Sequence, residues 1–267
     1  MSCLVMKFGG AAMANASRFA CISQLILRRL ETFPKLVVVV SAMGETTSEL
    51  MNLAREVSTN PPKREQDMLI SAGERVSMAL LAMALHEVRV DAISFTGSQS
   101  GILTTEMHTE AKVIAIRPKR VEQALKEGKV VIVAGFQGVS SSKEVTTLGR
   151  GGSDTSAVAL AIGLGAERVE FYKDVPGIGE DNPKIYPDTE IFSHLSYEEA
   201  LAVVGKGAEV LHDRCIRLAQ KNGIPLEIRP FYDPERVGTS IGLGAERNFA
   251  FFYEGESDLT FGEDQPY

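Results

Sequence analysis

The 267-residue sequence is poor in cysteine: Cys3, Cys21 and Cys215 stand far apart, without a C-x-x-C spacing. An odd and scattered set argues against a disulfide framework and against a zinc site, and leaves buried free thiols as the expected state. No run reaches the roughly 18 consecutive apolar residues that would span a bilayer. The opening MSCLVMKF is broken by Gly9-Gly10 and lacks the basic start and small-residue cleavage site of a secretory signal, so a cytoplasmic chain with no membrane partner is expected. Basic charge is also short. A formal net charge of -7 disfavours nucleic acid, whose phosphates need a basic surface, but not a nucleotide, which needs only local cations and backbone N–H groups. The pattern G-x-x-x-x-G-K-[ST] is missing, as is G-x-G-x-x-G after a strand, which removes the two commonest phosphate-binding solutions.

What is present reads as an ordinary globular chain, 44% hydrophobic and 24% charged. Residues 3–8, 17–30 and 35–41 spell a β-α-β opening. Helical patterns over 47–57 and 66–86, a strand over 88–95, a Gly/Ser/Thr-rich loop over 96–112 and a helix over 118–126 follow. Next come a buried strand at 129–135, a loop at 135–152, a capped helix at 153–164 and a strand at 168–172. Two further helices, 197–204 and 206–221, precede a last strand at 225–229. Strands alternating with helices predict an α/β fold with a mainly parallel sheet covered on both faces, because parallel neighbours need helical crossovers. One domain over 1–242 and an acidic, aromatic appendage over 243–267 are expected. GLGAER occurs at 163–168 and 242–247 with unmatched flanks, so it marks no repeat.

Three segments carry chemistry. Lys7-Phe8-Gly9-Gly10 ends the first strand, where open α/β sheets bind their ligands; the glycines admit a polyanion to the backbone and the lysine supplies charge. On those four residues alone an ordinary strand-ending turn with an exposed lysine is the better fit, and only the rest of the chain favours a site. Residues 146–156, TTLGRGGSDTS, set an arginine fork beside a helix start rich in Ser and Asp, suited to a carboxylate. Glu74, in SAGER (71–75), is an acid inside an apolar helical stretch and could meet a substrate ammonium or pair with Arg75. His86, His108, His194 and His212 are not spaced as a metal cluster.

With KFGG (7–10), VVSAMGETTSEL (39–50), GER (73–75), TGSQSGI (96–102), AGFQG (134–138), TTLGRGGSDTSA (146–157) and KDVPGI (173–178), the chain resembles the catalytic domain of aspartate kinases over nearly all of 3–242. The resemblance implies the amino-acid-kinase fold, a three-layer α/β/α sandwich. It also implies ATP-dependent phosphorylation of the L-aspartate side-chain carboxylate to 4-phospho-L-aspartate, with Mg²⁺ carried on the ATP phosphates. That reaction is a first step towards lysine, threonine and methionine, and a homodimer is implied by the same analogy. By this similarity Lys7 neutralises the transferring phosphoryl group and Phe8, Gly9 and Gly10 flank it, while Ser41 and Thr47 line the phosphoryl and substrate region. Arg150 grips the α-carboxylate, Glu74 and Asp154 face the α-ammonium, and Ser153 orders the loop. Lys173, Asp174 and the stretch from Gly179 to Lys184 hold the nucleotide.

The sequence also departs from the family. Ala11-Ala12 stand for Thr-Ser, Asn182-Pro183-Lys184 for D-P-R, and Glu209 for a nucleotide-facing lysine. Lys206, three residues earlier, would share a face with position 209 on a continuous helix and restore the charge. The family usually carries ACT-type regulatory domains; the residues after 241 are too few to form one, so a stand-alone catalytic chain or a piece of a longer one is expected. A kinase for another acidic substrate, or a non-catalytic homologue serving as a ligand-binding partner subunit, are the alternative readings.

Overall fold

A computed structural model describes residues 2–207, 210–242, 244 and 251–254. The chain opens with β1 (Cys3–Phe8), a short 3₁₀ turn at Gly10–Met13, α1 (Ala16–Leu30), β2 (Lys35–Val40), α2 (Thr46–Val57), α3 (Lys63–Ile70) and α4 (Ala72–Glu87). It continues through β3 (Ala92–Phe95), β4 (Ile102–Thr104), β5 (Val113–Ile116), α5 (Lys119–Lys126), β6 (Val130–Ala134), β7 (Gln137–Val139) and β8 (Val145–Thr147). The second half holds α6 (Gly152–Leu164), β9 (Val169–Lys173), β10 (His194–Leu195), α7 (Tyr197–Gly205), α8 (Asp213–Asn222), β11 (Leu226–Pro230) and β12 (Thr239–Ile241).

Among the described residues the main sheet runs β10-β12-β11-β9-β1-β2-β6-β3, parallel throughout except where β11 meets β12. Strand alternation splits its side chains between two cores. Leu4, Met6 and Phe8 of β1 join Leu36, Val38 and Val40 of β2 and meet α1 and α4. Cys3 and Val5 join Val37 and Val39 and meet α5, α6, α7 and α8. The α/β/α sandwich is therefore present. Lys7 falls by the same parity on the Cys3–Val5 face, which puts a lysine under α6.

Several expected elements change. The helix expected over 66–86 is interrupted at Ser71, whose carbonyl accepts a hydrogen bond from Gln137 Nε2 at 2.8 Å; an outside donor on a helical carbonyl is a common cause of such a break. The strand expected over 88–95 begins only at Ala92, because Val90 N–H still reaches back to the Leu85 carbonyl and Arg89 turns left-handed at φ 60°. The two segments expected as loops contain β4, β7 and β8, which with β5 form a second sheet in the order β5-β4-β7-β8. Of these strands, β8 leads directly into the glycine loop that feeds α6.

The helix expected over 206–221 starts at Asp213, and α7 ends at Gly205 with Lys206 as its C-cap. Lys206 thus lies on no helix continuous with position 209, and Glu209 itself lies outside the described residues. Of the segment 243–267, Tyr253 is described and is buried in the α6 core.

Candidate functional site

The carboxyl ends of β1, β2 and β9 converge beneath the start of α6, and the ionic centre of the site lies there. Lys7 Nζ is 2.5 Å from Asp154 Oδ1, and Lys173 Nζ is 2.9 Å from Asp154 Oδ2. Burial alone would raise the Asp154 carboxyl, but the charges of Lys173 and Lys7 more than reverse this and hold it down at about 2. Burial pushes the Lys7 ammonium below its ordinary range, opposed by Asp154. Two ammonium groups share one carboxylate, which leaves one positive charge in surplus next to a residue, Asp154, that lines a cleft. Gly9 stands open beside it: a Cβ there would come no nearer than 3.8 Å to Lys7 Nζ.

This arrangement corrects the role expected of Asp154. Its carboxylate is engaged by lysines and faces a cleft of about 440 Å³ lined by Arg150, Gly151, Val204, Gly205, Leu211, His212, Asp213 and Arg217. The second cleft, about 470 Å³, is lined by Gly10, Ser41, Thr47, Glu74, Thr109, Thr147, Arg150 and Ser153. The two share Arg150 and Gly151. A small third cavity of about 90 Å³ lies between Lys173, Asp174, Asn182 and Lys184, where Lys184 Nζ meets Asp174 Oδ2 at 2.7 Å.

Within the second cleft Ser41 Oγ and Ser153 Oγ are 2.9 Å apart, tying the end of β2 to α6. Glu74 is buried in the first turn of α4, and its Oε1 accepts the Ala42 N–H at 3.1 Å. Its Oε2 has no hydrogen-bond partner among the described residues. Burial raises this carboxyl to about 7, against the smaller pull of two backbone N–H groups and of Lys7. One cleft thus offers a guanidinium and, apart from it, a carboxylate with one oxygen in need of a donor. A zwitterion carrying a carboxylate and an ammonium matches that pair.

The loop leading into α6 is shaped by glycine. Gly151 caps the helix at φ 72°, and a Cβ there would lie 2.3 Å from the His212 Cβ. The expected Ser/Asp side-chain cap is absent, since Ser153 and Asp154 turn instead to Ser41 and the lysines.

Three expected ligand contacts are not brought to the clefts. The Phe8 ring is buried on the opposite face of β1 and stacks on Tyr172 with centroids 4.7 Å apart. Gly179 pairs with Ile191 in an isolated bridge, where a Cβ would lie 2.6 Å from a Thr189 methyl. Lys206 is exposed and does not line the cleft bounded by its neighbours Gly205 and Gly207. Conversely, His212, Asp213 and Arg217 line the first cleft, and Gln66, Thr109, Thr147 and Phe136 the second. Beneath the latter group, fully buried Asp67 accepts from His108 Nδ1 at 2.7 Å, from the Thr109 N–H at 3.1 Å and from Thr147 Oγ1 at 2.5 Å.

The amino acid kinase family sequence model matches residues 2–230. A curated aspartokinase from Mycolicibacterium smegmatis is 48% identical over 242 residues, 90% of this chain and 57% of the relative. The chain therefore spans little more than half the length of that relative. Among solved structures, the aspartate kinase from Synechocystis superposes with a TM-score of 0.79 at 46% identity, covering 90% of this chain and 39% of the other. E. coli aspartokinase III in complex with aspartate and ADP gives a TM-score of 0.81 at 26% identity, covering 89% and 64%.

Proposed function

The chain belongs to the amino acid kinase family, and on that premise we propose that it catalyses ATP-dependent phosphorylation of the side-chain carboxylate of L-aspartate. The observation that carries the reading is the pairing, in one cleft, of Arg150 with a buried Glu74 whose Oε2 is orphaned among the described residues. The substrate α-carboxylate sits on the guanidinium and its ammonium on Glu74, which ionises on meeting it. This fixes the amino acid at both charged ends of its backbone and directs the side-chain carboxylate towards Ser41, Ser153 and Lys7.

In the chemical step a carboxylate oxygen attacks the γ-phosphorus of ATP, and the bond from that phosphorus to the ADP oxygen breaks with its electron pair leaving on ADP. Attacker and leaving group are already ionised near neutral pH, so no side chain has to carry a proton. The protein's contribution is position and charge. Lys7 and Lys173, with one carboxylate between them, supply net positive charge where the phosphoryl group passes. Asp154 holds both ammonium groups in place. Magnesium, when bound, neutralises phosphate charge. The ATP phosphates would carry it, because Mg²⁺ keeps several of its waters and is bound largely through phosphate oxygens.

A homodimer completes the proposal. Val76 and Met83 are exposed on the outer side of α4, with Leu53 and Val57 exposed on α2; such apolar surface favours a partner. Sedimentation as a monomer at micromolar concentration rejects this part alone.

The test of activity is ADP release by purified chain with MgATP and a panel of L-aspartate, L-glutamate, N-acetyl-L-glutamate and UMP, with hydroxylamine trapping of an acyl phosphate. Turnover and hydroxamate formation with L-aspartate are expected. Preference for another acceptor makes it a kinase of different substrate, and absence of turnover by folded protein leaves a ligand-binding homologue.

A further inference from the structure

We propose that residues 252–254 form a strap that fixes the 148–152 loop through Arg214, so that Glu254 and Arg214 are positioning residues for the amino-acid cleft. The functional part of this inference rests on the kinase reading above.

The strap is held at three successive residues. At Phe252, the Asn222 side chain grips the backbone twice: Nδ2 donates to the Phe252 carbonyl and Oδ1 accepts the Phe252 N–H, both at 2.9 Å. Tyr253 is buried in the α6 core, where a Cβ on Gly163 would lie 3.5 Å from its hydroxyl. Glu254 continues along β5, donating its N–H to the Val113 carbonyl at 2.8 Å and accepting the Val113 N–H on Oε2 at 2.8 Å.

Glu254 then hands its charge to α8. Its two oxygens take Arg214 Nε at 2.7 Å and Nη2 at 2.9 Å, a fork that fixes the plane of the guanidinium. The rest of that guanidinium faces the loops: Nη1 donates to the Leu148 carbonyl and Nη2 to the Ala111 carbonyl at 3.1 Å. Leu148 precedes Gly149 and Arg150 directly, and the Ala111 N–H is itself bonded to the Thr147 carbonyl at 2.9 Å. One planar cation therefore joins the strap to both strands of chain that border Thr109, Thr147 and Arg150.

The loop needs such support from outside. Gly149 and Gly151 both lie in left-handed conformations at φ 71° and 72°, and residues 148–151 belong to neither a strand nor a helix. Two glycines so close together give the unfixed chain many alternatives. A fixed fork at Leu148 removes them and thereby sets where the Arg150 backbone starts. Arg214 without Glu254 keeps its charge but loses the partner that orients it, so loop order depends on a residue about a hundred positions downstream.

The experiment uses the full chain as parent, Glu254→Gln and Arg214→Lys. Glu254→Gln keeps an acceptor for Val113 N–H and removes the charged fork; Arg214→Lys keeps the charge and cannot reach the two carbonyls and Glu254 together. Amide hydrogen exchange is read at Leu148 and Gly152, which donate to the Phe136 and Gly149 carbonyls. KM is read for L-aspartate and ATP at a temperature well below unfolding. In both variants these amides exchange about tenfold faster and KM for L-aspartate rises roughly fivefold to twentyfold, a larger change than in kcat. Unchanged exchange at Leu148 and Gly152, or a fall in melting temperature with KM for L-aspartate unchanged, overturns the proposal. If either variant fails to fold, the other decides. A parent that does not turn over L-aspartate refutes the kinase reading, while the exchange measurement still decides whether the strap orders the loop.

Discussion

Lys7 and Asp154 form a buried ion pair at 2.5 Å, the lysine from the end of β1 and the aspartate from the first turn of α6. The second oxygen of Asp154 holds Lys173. An ion pair in such a place contributes little net stability as a pair, but removing one partner strands the other charge in the interior. The pair also joins two layers of the sandwich, the end of β1 and the start of α6.

Asp154→Asn should therefore lower the unfolding free energy by about 3–5 kcal/mol, measured by denaturant unfolding at pH 7. The sign with pH follows from the depressed carboxyl: folded Asp154 titrates at about 2 against 3.8 for the ordinary group. Its support is complete above about 4 and is lost as pH falls through about 2. The variant should lack that acid-dependent loss, so the parent and variant stabilities converge on acidification. Curves that stay parallel down to pH 2 exclude the pair as the source.

Glu74 carries the opposite sign. Its carboxyl titrates at about 7 in the folded chain against 4.5 ordinarily, so the folded state holds this proton more tightly than the unfolded state. That support is complete below 4.5 and disappears as pH rises through about 7, a swing of about 3 kcal/mol. Glu74→Gln removes the swing. Without amino acid it should match or exceed the parent in stability above pH 7, while KM for L-aspartate rises about a hundredfold through loss of a buried charge partner. Stability of the variant below the parent at pH 8 would contradict the assigned sign.

Both residues were legible in the sequence for physical reasons. Lys7 precedes a glycine pair at a strand end, and its parity in the strand fixes its face; Glu74 is an acid in an apolar helix. Asp154 stood out in the sequence as a candidate, but its partners did not, since nothing in TTLGRGGSD says which lysine will arrive from β1 or β9. Asp67 left no signal, because His108 and Thr147 lie 41 and 80 residues further along the chain. The second sheet escaped because β4, β7 and β8 span three residues each, too few for alternation to register. Lys206 falls on no second helix because the start expected at 206 lies at Asp213 instead: Lys206 caps the end of α7, and Gly207 turns to φ 108°.

Gly151→Ala tests the junction between the clefts. The position needs φ 72° and has the His212 Cβ where its own would go. Strain and overpacking together predict a loss of about 2–4 kcal/mol, read by thermal or denaturant unfolding. Gly151 lines both the amino-acid cleft and the cleft of about 440 Å³ that Asp154 lines, in which the proposed reaction would place the ATP phosphates, so KM should rise for ATP and for L-aspartate together. A rise confined to one substrate would place the loop's influence on that side alone.

Asp67 tests whether the wall of the amino-acid cleft depends on a hidden carboxylate. It has no solvent exposure and gathers an imidazole, a backbone N–H and a hydroxyl onto itself. Two of those donors belong to Thr109 and Thr147, which line the cleft. Asp67→Ala deprives these buried groups of their acceptor and should cost about 2–4 kcal/mol in unfolding free energy. With the wall released, KM for L-aspartate should rise while KM for ATP changes little, because neither threonine lines the other cleft. Asp67→Asn keeps one carbonyl acceptor and sets an NH₂ group against the remaining donors, so it should fall between the parent and Asp67→Ala in both measurements. Equal changes in the two KM values would mean that the carboxylate holds the domain together without shaping the amino-acid side in particular.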